Sequence, residues 1–90
     1  MSVRNIVILG STGSIGRSTL TVLDRHPGFY KIIALAAYSN LELLVEQYRR
    51  YKPEYLCLVD ETRGRELTAL LKDEPVQVLV GEEALVSLAA

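Results

Sequence analysis

The sequence has few of the residues that mark metal-binding, redox-active or membrane-spanning proteins. It contains one histidine, His26, with no second metal ligand near it in the sequence, so a metal site there is not expected. The single cysteine, Cys57, lies within an apolar run, where a small apolar residue suits a buried strand better than a reactive thiol. No apolar run approaches the roughly 20 residues that a bilayer-spanning helix needs.

The chain also lacks an excess of charge of either sign. The chain has 10 basic and 11 acidic residues, a net charge of −1, which gives no support to nucleic-acid binding. The densest basic group, Arg49, Arg50 and Lys52, falls on a predicted helix that also carries Glu42 and Glu46, which is typical of a solvated face. With 90 residues and 49% apolar content, the sequence is that of one small globular domain at most.

A glycine-rich loop follows the first apolar run and is the most informative feature present. Residues 3–9 are rich in β-branched side chains, and glycines follow at Gly10, Gly13 and Gly16, where a helical pattern begins. We expect a side chain at Gly10 to obstruct the turn and one at Gly13 to hold a ligand off. A side chain at Gly16 would keep the helix away from the strand. Backbone amides and the helix dipole then face a pyrophosphate, so the loop predicts dinucleotide binding.

The spacing of this loop is G-x-x-G-x-x-G, one position different from the commoner G-x-G-x-x-G fingerprint. A glycine-rich turn without a ligand is the alternative, and the strand before the loop and the βα units after it favour the ligand. Ser11, Thr12 and Ser14 add hydroxyl donors. Ser14 is also expected to cap the following helix.

Four strand-like runs, each followed by a helical pattern, predict an α/β fold. The runs are continuous hydrophobics, as in parallel strands buried on both faces, which indicates the first half of a Rossmann-like doubly wound parallel sheet. We expect the strand order 3-2-1-4, with the glycine loop near the middle of the sheet. The predicted strands are 4–9, 31–36, 55–59 and 76–80, and the predicted helices are 14–25, Asn40 to Pro53, Asp60 to Pro75 and Gly81 to Ala90.

A doubly wound dinucleotide domain needs a second half, which these residues do not supply. Residues 1–90 are therefore expected to be the N-terminal part of an NADP(H)-binding Rossmann domain, with the catalytic and C-terminal domains absent from this chain. On that expectation the chain alone is inactive.

The segment after the second strand bears on the choice of cofactor. NAD-binding folds commonly place Asp or Glu there to bind the ribose 2′-hydroxyl, whereas residues 36–40 contain no acid. Ser39 and Asn40 could bond a 2′-phosphate, which favours NADP over NAD. Arg17 could add charge or simply lie on the helix surface.

The motif of residues 8–16, the run 33–37 and Asn40 together resemble the N-terminus of the 1-deoxy-D-xylulose 5-phosphate reductoisomerase family, over essentially the whole chain. The resemblance implies an NADPH-dependent oxidoreductase that makes 2-C-methyl-D-erythritol 4-phosphate in non-mevalonate isoprenoid synthesis. It also implies Mg²⁺ or Mn²⁺ bound by ligands outside this chain, a phosphorylated sugar substrate, a homodimer when full length and a cytoplasmic location.

Family cofactor contacts correspond to residues 12–15 and 38–40, and no catalytic or metal-binding residue is assigned within the chain. Tyr38 replaces a glycine common in the family, and Ser39 lacks the charge of the lysine found in many members. The candidate cofactor-binding residues are Gly10, Ser11, Thr12, Gly13, Ser14, Ile15, Gly16, Tyr38, Ser39 and Asn40.

Two other functions stay open on the sequence. One is another NAD(P)-dependent dehydrogenase with the same loop, such as an aspartate-semialdehyde-type or extended short-chain enzyme. The other is a non-catalytic nucleotide-binding module. Downstream sequence distinguishes them, because an acidic metal-binding cluster supports the reductoisomerase, whereas a Tyr-x-x-x-Lys pair or a catalytic cysteine supports another dehydrogenase.

Overall fold

The computed structural model describes residues 3–89 and alternates strands with helices along the chain, as predicted. The bounds differ from the predicted ones by a few residues, most at the end of α3, and the predicted end of the last helix at Ala90 lies outside the described residues. The elements in chain order are β1 (Arg4–Leu9), α1 (Ser14–Asp24), β2 (Tyr30–Ala37), α2 (Leu41–Tyr51), β3 (Tyr55–Leu58), α3 (Glu61–Leu70), β4 (Gln77–Val80) and α4 (Glu82–Ala89).

All four described strands run parallel in one sheet, in the order β1-β2-β3-β4. The predicted order 3-2-1-4 is therefore wrong: β4 pairs with β3, through Leu56 opposite Val78, rather than with β1. β1 pairs with β2, with a shift of register between Ile6 and Val7, and forms one edge of the described sheet. The glycine loop consequently lies at that edge and not near the middle.

α3 packs closely against β4 in its position beside β3. Gly64 of α3 lies so close to β4 that an added Cβ would stand 2.4 Å from Cγ1 of Val80. Leu67 and Leu71 are buried in the same core cluster as residues from α1 and α2. Right-handed crossovers that step repeatedly in one direction place their helices on one face of a sheet, so this shared cluster fits a third step in the direction of the first two.

Apolar side chains from β1, β2 and β3 meet α1, α2 and α3 in a single core. Leu35, Leu44, Leu56 and Leu67 are fully buried within it. Cys57 is also fully buried, with its thiol 3.9 Å from the carbonyl oxygen of Gly81, which confirms the interpretation as a buried strand residue. The core cluster consists of Ile8, Leu20, Leu35, Ala37, Leu41, Leu44, Val45, Tyr48, Leu56, Leu58, Leu67 and Leu71.

The surface of α2 bears out the prediction of a solvated basic face. Arg49, Arg50 and Lys52 are exposed, and Arg50 forms an ion pair with Asp24 at 2.9 Å. Among the described residues no helix is both long enough and apolar enough to cross a membrane.

Candidate cofactor-binding site

The glycine loop leaves β1 through a backbone conformation that suits glycine. Gly10 has φ +75°, and its N–H and that of Ser11 both donate to the carbonyl oxygen of Ala36, at 2.8 and 2.9 Å. A Cβ on Gly10 would meet no atom within 4 Å. Glycine is therefore required by the positive φ and not, as expected, because a side chain would obstruct the turn.

The other two glycines differ in how closely they are packed. Gly13 donates its N–H to the carbonyl oxygen of Gly10 at 3.0 Å, and a Cβ there would meet only that oxygen, at 3.4 Å. A Cβ on Gly16 would stand 2.1 Å from the same oxygen and 2.7 Å from the Cα of Ser11. The helix is closely packed at Gly16, as expected, but against the loop residues Gly10 and Ser11 that follow β1 and not against the strand itself.

The N-terminus of α1 is left open in a way that those of α2 and α3 are not. Its N-cap is Gly13, with φ −79° and ψ 171° and no side-chain cap hydrogen bond. The predicted cap at Ser14 is wrong, because Ser14 already has helical geometry and an N-cap has to precede the first helical residue. In contrast, α2 is capped by Asn40 and α3 by Asp60, through hydrogen bonds of 3.1 and 3.0 Å.

First-turn charge follows the same division. The first turn contains Glu42 in α2, Glu61 in α3 and Glu82 in α4, whereas α1 has no acidic residue in its first turn. Within the described residues, the positive end of the α1 dipole is thus the one that no carboxylate neutralises. Free N–H groups and an uncompensated dipole together suit a phosphate group.

Side chains of the loop differ in what they offer a ligand. Ser11 is fully buried, and its Oγ has no hydrogen-bond partner among the described residues, so this residue offers no exposed hydroxyl to a ligand at the surface. Thr12 is half-buried, and Ser14 is exposed. Ile15 is 85% exposed, an unusual place for a large apolar side chain and one where it could cover an apolar part of a ligand.

The second predicted segment lies beside the loop, at the end of β2. Leu9 pairs with Ala36, so the chain beyond Ala37 emerges next to the chain beyond Leu9. Tyr38 is 71% exposed, and Ser39 is also exposed. The structure therefore brings the two candidate segments, residues 10–16 and 38–40, to adjacent strand ends, where parallel sheets bind ligands.

Asn40 has two tasks available to it. Its Oδ1 accepts the N–H of Leu43 and caps α2, which leaves the side-chain NH₂ as a donor. Two residues further, Glu42 is bound by the guanidinium of Arg63, and this hydrogen bond holds the pKa of the Glu42 carboxyl below its ordinary value. The carboxylate of Glu42 is thus engaged by a cation.

Gln47 was missed by the sequence analysis as a residue of the site. It is 7% exposed, and its Nε2 donates to the carbonyl oxygen of Ser11 at 2.8 Å, which ties α2 to the glycine loop. The sequence contained a signal for this role: Gln47 is a polar residue on the apolar side of α2, directly before Tyr48.

Two other features of residues 3–89 bear on the site. These residues contain no group of three or more His, Cys, Asp or Glu side chains placed to hold a metal ion. An open groove of about 650 Å³ runs between α1 and α2, with Arg17, Glu46 and Arg50 among its walls. Apart from Arg17 and Gln47, its lining includes none of the residues discussed above for cofactor contact, so we place the candidate site at the strand ends.

Comparison with known proteins gives one consistent family. The family profile described as 1-deoxy-D-xylulose 5-phosphate reductoisomerase matches residues 6–90. Curated relatives of that name from Moorella thermoacetica and Haemophilus ducreyi are each 46% identical, over 86 and 89 residues. These alignments cover 96% and 97% of this chain but only 22% of each relative, so the chain spans about a fifth of their length.

Solved structures give the same result. The reductoisomerase from Zymomonas mobilis in complex with NADPH matches with a TM-score of 0.89 at 33% identity, over 98% of this chain and 23% of that one. A DOX-P reductoisomerase in complex with NADPH, fosmidomycin and magnesium matches with a TM-score of 0.90 at 31% identity, over 97% of this chain and 22% of that one. The Rossmann-like α/β fold expected for this chain is therefore confirmed.

Proposed function

Since this chain belongs to the 1-deoxy-D-xylulose 5-phosphate reductoisomerase family, we propose that residues 1–90 form the N-terminal part of the NADPH-binding domain of such an enzyme. The full-length protein, meaning the natural polypeptide that includes these residues, then carries the catalytic and C-terminal domains elsewhere. The free side of β1 supports this proposal, because Val7 and Leu9 are 42% and 49% exposed on a strand that would be internal in a longer sheet.

The activity proposed for the full-length protein is the conversion of 1-deoxy-D-xylulose 5-phosphate to 2-C-methyl-D-erythritol 4-phosphate with NADPH. Bound NADPH supplies the hydride for the reduction. The relatives' complexes with NADPH and magnesium support this proposal. Because the described residues lack a metal-ligand cluster, a divalent ion would be held by other parts of the protein.

The observation that carries the proposed cofactor role is the open N-terminus of α1. Its first-turn amides have neither a side-chain cap nor a nearby carboxylate, and Gly13 leaves the approach to them clear. We place the pyrophosphate in front of this helix end, within reach of the Ser14 hydroxyl and beneath the exposed side chain of Ile15. The loop thus binds and orients the cofactor.

The 2′-phosphate is assigned to the second segment. Ser39 offers a hydroxyl and Asn40 an NH₂, and the segment has no carboxylate that would repel a phosphate. Tyr38 presents an exposed ring where many family members have glycine. Neutral donors alone predict a preference for NADPH over NADH that is moderate in size.

Cofactor selectivity tests this assignment. We expect the full-length protein to bind NADPH more tightly than NADH, and Ser39→Asp to reverse the preference, because a carboxylate there repels a 2′-phosphate and accepts from a 2′-hydroxyl. A titration with each cofactor, monitored by fluorescence, measures both affinities. Ser87→Asp on the exposed surface of α4 is the matched control for added charge and should leave the preference intact.

A natural protein that prefers NADH would contradict the assignment of Ser39 and Asn40. Absence of turnover with 1-deoxy-D-xylulose 5-phosphate, NADPH and Mg²⁺, despite NADPH binding, would support the non-catalytic module instead. The homodimer and the cytoplasmic location stay predictions, which sedimentation of the full-length protein and cell fractionation would check.

A further inference from the structure

One buried hydrogen bond joins the glycine loop to a helix that the loop's own motif does not include. Nε2 of Gln47, in the middle of α2, donates to the carbonyl oxygen of Ser11 at 2.8 Å. Gln47 is 7% exposed and Ser11 is fully buried, so little water reaches either group. The two residues are 36 positions apart, which makes the bond a tertiary contact and not part of the turn.

The position of this bond has a consequence for the next amide. A trans peptide group is planar, with its carbonyl oxygen and the following N–H pointing in opposite directions. Holding the Ser11 oxygen toward α2 therefore turns the N–H of Thr12 away from α2. Thr12 belongs to the segment that faces the proposed pyrophosphate, so the bond sets the direction of one of its donors.

The unpaired atoms around this bond indicate what Gln47 is for. Oε1 of Gln47 is buried with no partner among the described residues, which is unfavourable for an amide in a core. A leucine would remove that unpaired oxygen while leaving the Ser11 carbonyl without its donor, so the number of unpaired buried oxygens would not change. Stability of the fold alone gives little reason for glutamine at this position.

We propose that Gln47 is a positioning residue for the dinucleotide: it fixes the Ser11–Thr12 peptide so that the Thr12 N–H faces the pyrophosphate. The same helix begins at Asn40, so α2 also links the loop to the segment assigned to the 2′-phosphate. This inference rests on the proposed cofactor role of the loop. It adds to that role a specific donor orientation and the helix that maintains it.

The test replaces Gln47 in the full-length protein by leucine and, in a second variant, by the unbranched methionine. We expect the dissociation constant and KM for NADPH to rise about 10-fold in both, with kcat and the KM for the sugar phosphate unchanged. Affinity for adenosine 2′-phosphate should stay the same, because that ligand has the 2′-phosphate but no pyrophosphate. A residue with a merely structural role would weaken both ligands together.

Tyr48→Phe is the matched control. It removes a different tertiary hydrogen bond of α2, from the Tyr48 hydroxyl to Glu74 at 3.1 Å, and does not touch the loop. We expect this variant to lose thermal stability but to keep its NADPH affinity.

Three results would overturn the proposal. The first is unchanged NADPH affinity in Gln47→Leu and Gln47→Met, and the second is an equal loss of affinity for NADPH and adenosine 2′-phosphate. The third is failure of both variants to fold where Tyr48→Phe folds, since Gln47 would then serve the fold itself. If the natural protein binds no NADPH, the proposed function fails as well, and this outcome is distinct from the other three.

Discussion

Gly16 is the position where one added methyl group tests the packing of the loop most directly. In Gly16→Ala the new Cβ would stand 2.1 Å from the carbonyl oxygen of Gly10, whereas real Cβ atoms essentially never approach closer than 3.0 Å. The helix must therefore move away from the loop by about 0.9 Å, the difference between 3.0 and 2.1 Å. The atoms in the way belong to the backbone, so no side-chain rotation relieves the contact.

The expected magnitudes follow from that displacement. Overpacking a core commonly costs about 1–3 kcal/mol, and a clash with backbone lies at the upper end, about 3 kcal/mol. Alanine gains about 1 kcal/mol over glycine inside a helix, so the free energy of unfolding should fall by about 2 kcal/mol. Hydrogen bonds to charged groups are worth about 1.5–3 kcal/mol, so the loss of one pyrophosphate contact should raise the NADPH dissociation constant by on the order of 10- to 100-fold.

Gly64→Ala is the matched control, because it too is a closely packed helix glycine but lies away from the loop. Its Cβ would meet the Val80 side chain, with Cγ1 at 2.4 Å, and Val80→Ala should relieve the contact. Urea denaturation and NADPH titration of the full-length variants measure both quantities. A Gly16→Ala protein with unchanged NADPH affinity, or a Gly64→Ala protein with the same loss of affinity, would refute the reasoning.

Two further predictions concern Gly13 and Cys57. Gly13→Val should keep the fold, because a Cβ at this position meets only one atom, at 3.4 Å. It should weaken NADPH binding by about 100-fold or more, because the side chain fills the space proposed for the pyrophosphate. Circular dichroism checks the fold and titration the affinity, and unchanged NADPH affinity would contradict the proposed site. Burial raises the pKa of the Cys57 thiol, so a thiol reagent should label it only after unfolding. Because the thiol ionises at lower pH in the unfolded chain, the contribution of Cys57 to the free energy of unfolding should be complete below the ordinary pKa of a thiol and be lost as pH rises above it. Rapid labelling of the native protein at neutral pH would instead show that the thiol is accessible.

The elements of the fold were predictable because local patterns determine them. Continuous apolar runs and helical stripes gave four strands and four helices, and Asn40 and Asp60 correctly predicted the starts of α2 and α3. The place of β4 was not predictable from the same patterns. Placing β4 beside β3 or beside β1 needs the same strand and helix lengths, and the difference lies in contacts between elements, such as that of Gly64 with Val80, which local patterns do not determine.

The candidate site divides in the same way. The glycine spacing predicted the loop and close packing at Gly16, although the backbone that Gly16 contacts is that of the loop and not of the strand. Ser14 was misassigned because a serine at a helix start suits both the cap and the first helical position, and only the backbone angles of Gly13 separate them. The hydrogen bond from Gln47 to Ser11 joins residues 36 positions apart, and a contact over that distance cannot be predicted from the pattern of a single sequence.

The open end of α1 also makes the choice of buffer part of any experiment on this protein. A helix end without a cap or a carboxylate is less stable than its neighbours until an anion occupies it, so sulfate or phosphate ions should act there as stabilisers. Such ions would raise the melting temperature and at the same time compete with the dinucleotide. An anion at 100 times its dissociation constant stabilises a protein by about 2.7 kcal/mol. The apparent affinity for the cofactor should therefore be lower in phosphate buffer than in a zwitterionic buffer.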